Sequence, residues 1–183
     1  QKDDGRMETQ KRKQNEKEKA ERRMKIVAGL GSIDEYIPYV LAGADELFCG
    51  YVPYNWTKKY GTVLPLNRRE VLAYNVHLGS FGELEILSAM IRKYRKPVHI
   101  AMNSLYYIPE QYEEIADIVK QCMKIGFDSF ILADPALILY LRQKGISCKI
   151  HLSGEVGEMN REAIKVFQEM GVDRIIFHRK NTV

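Results

Sequence analysis

The stretch SCKIHLSGEVGEMNREAIKVFQEMGVDRIIFH, residues 147–178, decides the fold. It reads as strand, helix, strand. SCKIHLS (147–153) and DRIIFH (173–178) are short runs with apolar residues at alternate positions. Between them a helix over 159–170 turns Ile164, Phe167 and Met170 inward and stops at Gly171. Two strands joined through a helix run parallel. Within the strands, Ile150 and Leu152 alternate with Lys149, His151 and Ser153, and Ile175 and Phe177 alternate with Arg174, Ile176 and His178. One face is therefore apolar and suited to helices. The other carries polar groups that need partners or water, because burying them unpaired costs about 1–3 kcal/mol each. A barrel lumen opening to a site satisfies such a face better than a second helical layer does.

The same unit repeats toward the N-terminus. DSFILAD (128–134) is a strand, and Pro135–Lys144 a short helix closed by Gly145. PVHIAMN (97–103) is a strand in which Val98, Ile100 and Met102 alternate with His99, Ala101 and Asn103. Pro109 opens the helix after it, with Ile115, Ile118, Val119, Cys122 and Ile125 on its apolar face. Residues 82–95 form an amphipathic helix through Leu84, Leu87, Ile91 and Tyr94. KIVAGL (25–30) and DELFCGY (45–51) are the first two strands, and Ser32 with Glu35 makes a capping box for the helix between them. Residues 51–67, YVPYNWTKKYGTVLPLN, read as a loop longer than the usual connection of about 2–6 residues, which marks it as a candidate functional segment. Residues 68–81 give no clear assignment. Six strands alternating with helices, about 26 residues per unit, predict an α/β fold: a TIM-like (β/α) barrel, incomplete, of about six parallel units. An open barrel leaves its first and sixth strands as edges, for which further sequence, the N-terminal arm or another protomer in a homo-oligomer is the expected cover.

Composition bounds the rest. The chain has 183 residues, 45% hydrophobic and 28% charged, enough for one domain with a real core. Residues 1–23 are almost free of apolar side chains and read as a solvated tail or linker helix, with residues 24–183 as the barrel domain. Of the formal net charge of +4, residues 1–24 carry nine Lys/Arg against six Asp/Glu. The body is nearly neutral, which argues against a dedicated nucleic-acid surface on it. No apolar run approaches the roughly 20 residues of a membrane helix, and no secretory h-region is visible. Three scattered cysteines, Cys49, Cys122 and Cys148, suggest neither a disulfide framework nor a metal knuckle, and the cytoplasm is the expected compartment.

Chemistry in parallel α/β folds sits at the C-terminal ends of the strands. Those ends carry Cys49 and Tyr51, Asn103, Asp134, Ser153 with Glu155, and His178 with Arg179. Glu155, His178 and Asp134 are the candidates for acid–base catalysis. Asn103, Ser153, His151, Arg179 and Tyr51 are the candidates for holding a substrate. Asp134, directly before Pro135, also has the character of a helix N-cap, and His99 that of a satisfied core histidine. No HExxH, GxGxxG, P-loop or GxSxG motif is present, and no metal site is expected. The Gly29–Ser32 turn reads as a tight βα turn, with a phosphate cradle as its alternative.

Four stretches together resemble the collagenase-like peptidase family, family thirty-two of unknown catalytic type. They are AGLGSIDEYIPYVLAGADELFCGY (28–51), VHIAMNSLYY (98–107), IGFDSFILADPALILYLRQKG (125–145) and KIHLSGEVGEMNREAIKVFQEMGVDRIIFHRK (149–180). Asn103, Asp134, Pro135, His151, Leu152, Ser153, Asn160, Gly171, Val172, Arg174 and Arg179 fall on positions of the family pattern. Gly154 and Glu155 depart from it, standing where Thr-Gln is usual, as does Lys180 where Glu is usual. The resemblance implies a barrel and an enzyme lineage. It implies an iron–sulfur cluster only in relatives that resemble hydroxylases of tRNA, rRNA or quinone, whose cluster cysteines lie beyond the sixth unit and do not match Cys49, Cys122 or Cys148. Three readings follow: an enzyme domain acting on a small molecule, peptide or RNA, a binding or scaffold subunit, and an RNA-modification accessory using the basic arm.

Overall fold

The computed structural model describes residues 24–61, 65–68, 70–71 and 74–181. The proposed N-terminal tail lies outside them. Six parallel strands form one sheet in the order β1 (Val27–Gly29), β2 (Glu46–Gly50), β5 (Val98–Met102), β6 (Ser129–Leu132), β7 (Lys149–Leu152) and β8 (Arg174–Ile175). The helices between them are α1 (Tyr36–Leu41), α3 (Phe81–Tyr94), α4 (Pro109–Lys124), α5 (Pro135–Gln143) and α6 (Arg161–Glu169). A 3-10 turn, Ile33–Glu35, precedes α1.

Strand parity separates two environments. Leu47 and Cys49, Val98, Ile100 and Met102, Phe130 and Leu132, and Ile150 and Leu152 face outward and are buried under the helices. The helices answer with Leu84 and Leu87 of α3, Ile115, Val119 and Cys122 of α4, and Leu137, Ile138 and Leu141 of α5. This apolar layer is the core. Burying each such side chain contributes about 1.5–3 kcal/mol. Helix ends follow the local chemistry: Ser80 accepts from Glu83 N at 3.2 Å, Asp134 from Ala136 N at 2.8 Å and Asn160 from Ala163 N at 2.9 Å. In the first βα turn, the Glu35 carboxylate takes the amides of Gly31 (2.5 Å) and Ser32 (3.4 Å). An anion already occupies those donors, so the turn is a cap and not a phosphate cradle.

The inner faces meet because the sheet curls. β2 and β8 stand four strand spacings apart, about 19 Å in a flat sheet. Yet Arg174 of β8 reaches Glu46 of β2 with Nη1–Oε2 at 2.5 Å and Nη2–Oε1 at 3.2 Å. Only a strongly curved sheet, a half-barrel, allows that. At its two edges Ile26, Val27, Ile176 and Phe177 are exposed, and α6 buries no residue fully.

Two segments differ from the sequence reading. The expected loop 51–67 contains α2 (Tyr54–Tyr60), a helix of seven residues that buries only Trp56 and therefore shows no stripe. Residues 70–75 contain a two-stranded antiparallel ribbon, β3 (Glu70–Val71) with β4 (Tyr74–Asn75). The sixth strand is also shorter than expected. β8 ends at Ile175, so Phe177, assigned by parity to the helical side, lies instead along the inner cavity. Its backbone turns there to pass over Gly154, where an added Cβ would stand 3.0 Å from Phe177 O.

Candidate functional site

The concave side of the half-barrel encloses a cavity of about 680 Å³. His99, His151 and His178 all line it, the first two by strand parity and His178 from the segment beyond the end of β8. Its polar groups fall into two tiers with different electrostatics.

The lower tier lies at the N-terminal ends of the strands. Glu46, with a side chain only 4% exposed, accepts from Arg174, from Lys25 Nζ at 2.7 Å and from His99 Nε2 at 3.1 Å. Chiefly the Arg174 guanidinium, with Lys25 and His99, holds its carboxyl far below the usual carboxylate range against the opposing effect of burial. Burial pushes His99 down, so its ring is neutral at pH 7. The ionised Glu46 then fixes the tautomer. His99 donates through Nε2–H, and Nδ1 accepts from Ser129 Oγ–H at 2.6 Å. His151 packs edge-on against His99, ring centroids 4.5 Å apart. Burial, then the neighbouring His99 and Arg174, push His151 down to about 4. Serine, histidine and glutamate in hydrogen-bonded order resemble a hydrolytic relay. Ser129 is buried, however, and does not line the cavity, and two cations already neutralise Glu46. The lower tier is a hydrogen-bonded plug.

The upper tier lies at the C-terminal ends. It carries Arg68, Asn103, Ser153, Glu155, His178 and Arg179. Ser153 Oγ accepts from Glu155 N at 3.3 Å, opening a 3-10 turn that presents Glu155 to the cavity. His178 Nδ1 accepts from Lys180 N at 3.3 Å, which places the proton of the neutral ring on Nε2. Asn103 Oδ1 accepts from Arg68 N at 3.0 Å, which orients the side chain and leaves its amide N–H donors to offer a ligand. Among the described residues neither Arg68 nor Arg179 makes an ion pair. Arg68 is fixed by its backbone: residues 65–68 are strapped over the end of β5 by Ser104 Oγ on Pro65 O, Tyr107 Oη on Leu66 O (2.6 Å) and Asn103. The strap also explains Gly50, where a Cβ would collide with the Asn67 side chain at 2.6 Å.

Six of the eight sequence candidates therefore share this cavity: Asn103, His151, Ser153, Glu155, His178 and Arg179. Two do not. Asp134 is 4% exposed and caps α5, and its Oδ2 also accepts from Tyr107 N at 3.0 Å and Tyr112 Oη at 3.2 Å. Tyr51 lines a separate cleft between α2 and α4, and burial pushes its hydroxyl up to about 12. Sequence reasoning missed Arg68, whose segment carries no periodicity, and Glu46, a charged residue at a strand start whose partner lies 128 residues away.

The cysteines do not fit an iron–sulfur cluster. Cys49, Cys122 and Cys148 are all buried away from the cavity, and burial pushes the Cys122 thiol up to about 12, far from the thiolate a cluster needs. Among the described residues, no three His, Cys, Asp or Glu side chains gather closely enough to hold a metal ion. Among the same residues no helix is long and apolar enough to cross a membrane.

Residues 31–183 match the profile of Peptidase family U32. This chain belongs to that family. The tRNA hydroxylation protein P of Escherichia coli (strain K12) is 26% identical over 138 residues, covering 75% of this chain and 27% of the relative. The tRNA hydroxylation protein P1 of Bacillus subtilis (strain 168) is 22% identical over 157 residues, covering 86% of this chain and 33% of the relative. The U32 chain thus spans about a third or less of the curated relatives it matches. The solved structure of the U32 peptidase Mk0906 superposes with a TM-score of 0.59 at 15% identity, over 84% of this chain and 58% of that one. An HMG-CoA lyase from Brucella melitensis reaches 0.54 at 12% identity, over 83% and 55%. These structures bear on fold alone, and they agree with an incomplete TIM-like barrel.

Proposed function

We propose that this chain is the substrate-binding barrel region of an RNA-modifying enzyme, and that the upper tier of its cavity receives one nucleotide of the RNA. The observation that carries this reading is the pair of guanidinium groups, Arg68 and Arg179, on the rim of the cavity without a carboxylate partner among the described residues. An unpaired guanidinium facing a cavity is suited to bidentate contact with phosphate. The names of the two curated relatives point the same way. A nearly neutral body does not oppose it, because one nucleotide held in a cavity needs two placed cations and no broad basic face.

In this reading phosphate oxygens accept from Arg68 and Arg179. The Asn103 amide donates to an acceptor on the base edge. Glu155 accepts a proton, and His178 donates a hydrogen bond from Nε2–H. These side chains bind, orient and exchange protons, and the chain's three cysteines give no donor set for oxidising chemistry. The test is binding of bulk tRNA to the full chain, read by fluorescence anisotropy, with wild type and the double variant Arg68→Ala/Arg179→Ala. We expect binding at least about tenfold weaker and a salt slope reduced by roughly two phosphate contacts. A double variant with wild-type affinity and slope would remove the proposal.

A further inference from the structure

A second, smaller cavity of about 180 Å³ opens beside the first on the C-terminal face. Arg68 lines both. The remaining walls come from the loop between β5 and α4, with Ser104, Tyr106 and Tyr107, and from Gln111 in the first turn of α4. Three features separate this pocket from a packing defect. Gln111 is wholly buried, and its Nε2 has no hydrogen-bond partner, while its Oε1 accepts from Ile108 N at 3.0 Å as the helix cap. A buried amide donor left unmatched costs about 1–3 kcal/mol, so a ligand acceptor at this point has a ready return. Next, the Tyr106 side chain stands at the mouth 69% exposed, with Leu105 beside it at 41%. A large aromatic ring held out at the rim of a site is the usual platform for a stacked base. Finally, the tyrosine wall is rigid, because Tyr107 Oη is tied to Leu66 O at 2.6 Å and Ser104 N to Tyr107 Oη at 3.3 Å.

We propose that this pocket is a subsite for the nucleotide adjacent to the one in the main cavity. The flanking base stacks on Tyr106 and accepts a hydrogen bond from Gln111 Nε2. Arg68, common to both cavities, holds the phosphate that links the two nucleotides. Every base offers a ring-nitrogen or carbonyl acceptor on its edge, so the subsite recognises single-stranded RNA without demanding one sequence. The assignment rests on the RNA reading above and adds that the enzyme grips two consecutive nucleotides.

The experiment measures binding of fluorescein-labelled hexauridylate by anisotropy and of uridine monophosphate by calorimetry, with the full chain. Tyr106→Ala and Gln111→Glu should each weaken hexauridylate about tenfold. Gln111→Glu keeps the oxygen that caps α4 but removes the amide donor, and its melting temperature is read alongside so that loss of fold is separated from loss of the contact. Tyr106→Phe should bind as wild type does. Uridine monophosphate, which fills only the main cavity, should be insensitive to both residues yet weakened by Arg179→Ala. If hexauridylate binding depends on Arg68 and Arg179 but stays within twofold of wild type in Tyr106→Ala and Gln111→Glu, the subsite is overturned and the RNA reading stands. Equal losses for the mononucleotide would overturn the assignment to a flanking position. If wild type binds neither hexauridylate nor tRNA, the RNA reading falls and the subsite with it.

Discussion

The two tiers of the half-barrel cavity are built from the same kinds of residue and behave oppositely. Below, Glu46, His99, Ser129 and Arg174 satisfy one another, and the carboxylate at their centre is almost sealed from water. Above, Arg68, Glu155, His178 and Arg179 face the cavity, and the two arginines make no ion pair among the described residues. A polar residue pointing inward is therefore not evidence of function by itself. What distinguishes the tiers is whether the protein has already supplied the partner. Partnered groups at the N-terminal end tie β8 across to β2, and the two arginines at the C-terminal end are the groups that the proposed function gives to a ligand.

The strongest way to break this contrast is to remove the centre of the lower tier. Glu46→Ala leaves Arg174 and His99 without their acceptor and removes the bond that holds β8 across to β2. Breaking a buried ion pair by deleting one member costs about 3–5 kcal/mol, and Arg174, 40% exposed, places this case near about 3 kcal/mol. Chemical denaturation should show that loss. A loss under 1 kcal/mol would mean that the plug does not hold the sheet.

Acid sharpens the same contrast, with a defined sign. His151, pushed down to about 4 by burial, and His99, also pushed down, bind protons more weakly folded than unfolded. For a histidine shifted this way, the unfolded state takes up protons first as pH falls below the ordinary value of about 6.5. Stability should drop steadily from pH 6.5 toward about 4, by about 2–3 kcal/mol for His151. Glu46, depressed below the carboxylate range, adds its own loss only below about pH 4.5. The interval between pH 6.5 and 4.5 thus belongs to the histidines. Melting curves of His151→Asn should be flatter there than those of wild type, and parallel curves would refute the assignment.

How much of this contrast could be read from sequence follows from how local each signal is. Strand parity is local, so alternation in 98–103 and 149–153 correctly turned His99, Asn103, His151 and Ser153 toward one cavity. Helix caps are local too, and Asp134 before Pro135 carried both of its readings, catalyst and cap, in the same dipeptide. Pairing is not local. Nothing near Glu46 announces Arg174, and nothing near Arg68 announces the strap that aims it, because both depend on the curl of the whole sheet and on a segment with no periodicity. Helix α2 was hidden for a related reason, since one buried tryptophan among seven residues makes no stripe.

Asp134 gives a smaller test between the tiers. Its oxygens already accept three hydrogen bonds, from Ala136 N, Tyr107 N and Tyr112 Oη, and it does not line the cavity. Asp134→Ala should cost about 1–2 kcal/mol, the loss of a helix cap, and leave tRNA affinity unchanged. A variant that melts like wild type but no longer binds would restore Asp134 to the site.

Arg179 gives the smallest stability effect and the sharpest functional one. It follows β8 on the upper rim, where among the described residues no carboxylate holds it. Removing an exposed, unpaired cation alters folding by no more than about 0.5 kcal/mol, because it deletes neither packing nor a hydrogen bond. Removing it from a phosphate contact costs the whole of that contact. Arg179→Ala should therefore melt with wild type and lose tRNA affinity, whereas Arg179→Lys keeps the charge but not the two-pronged geometry and should recover only part of it. Full recovery with lysine would reduce the residue's role to charge alone. A drop in melting temperature comparable to that of Glu46→Ala would place Arg179 among the partnered groups and erase the distinction between the tiers.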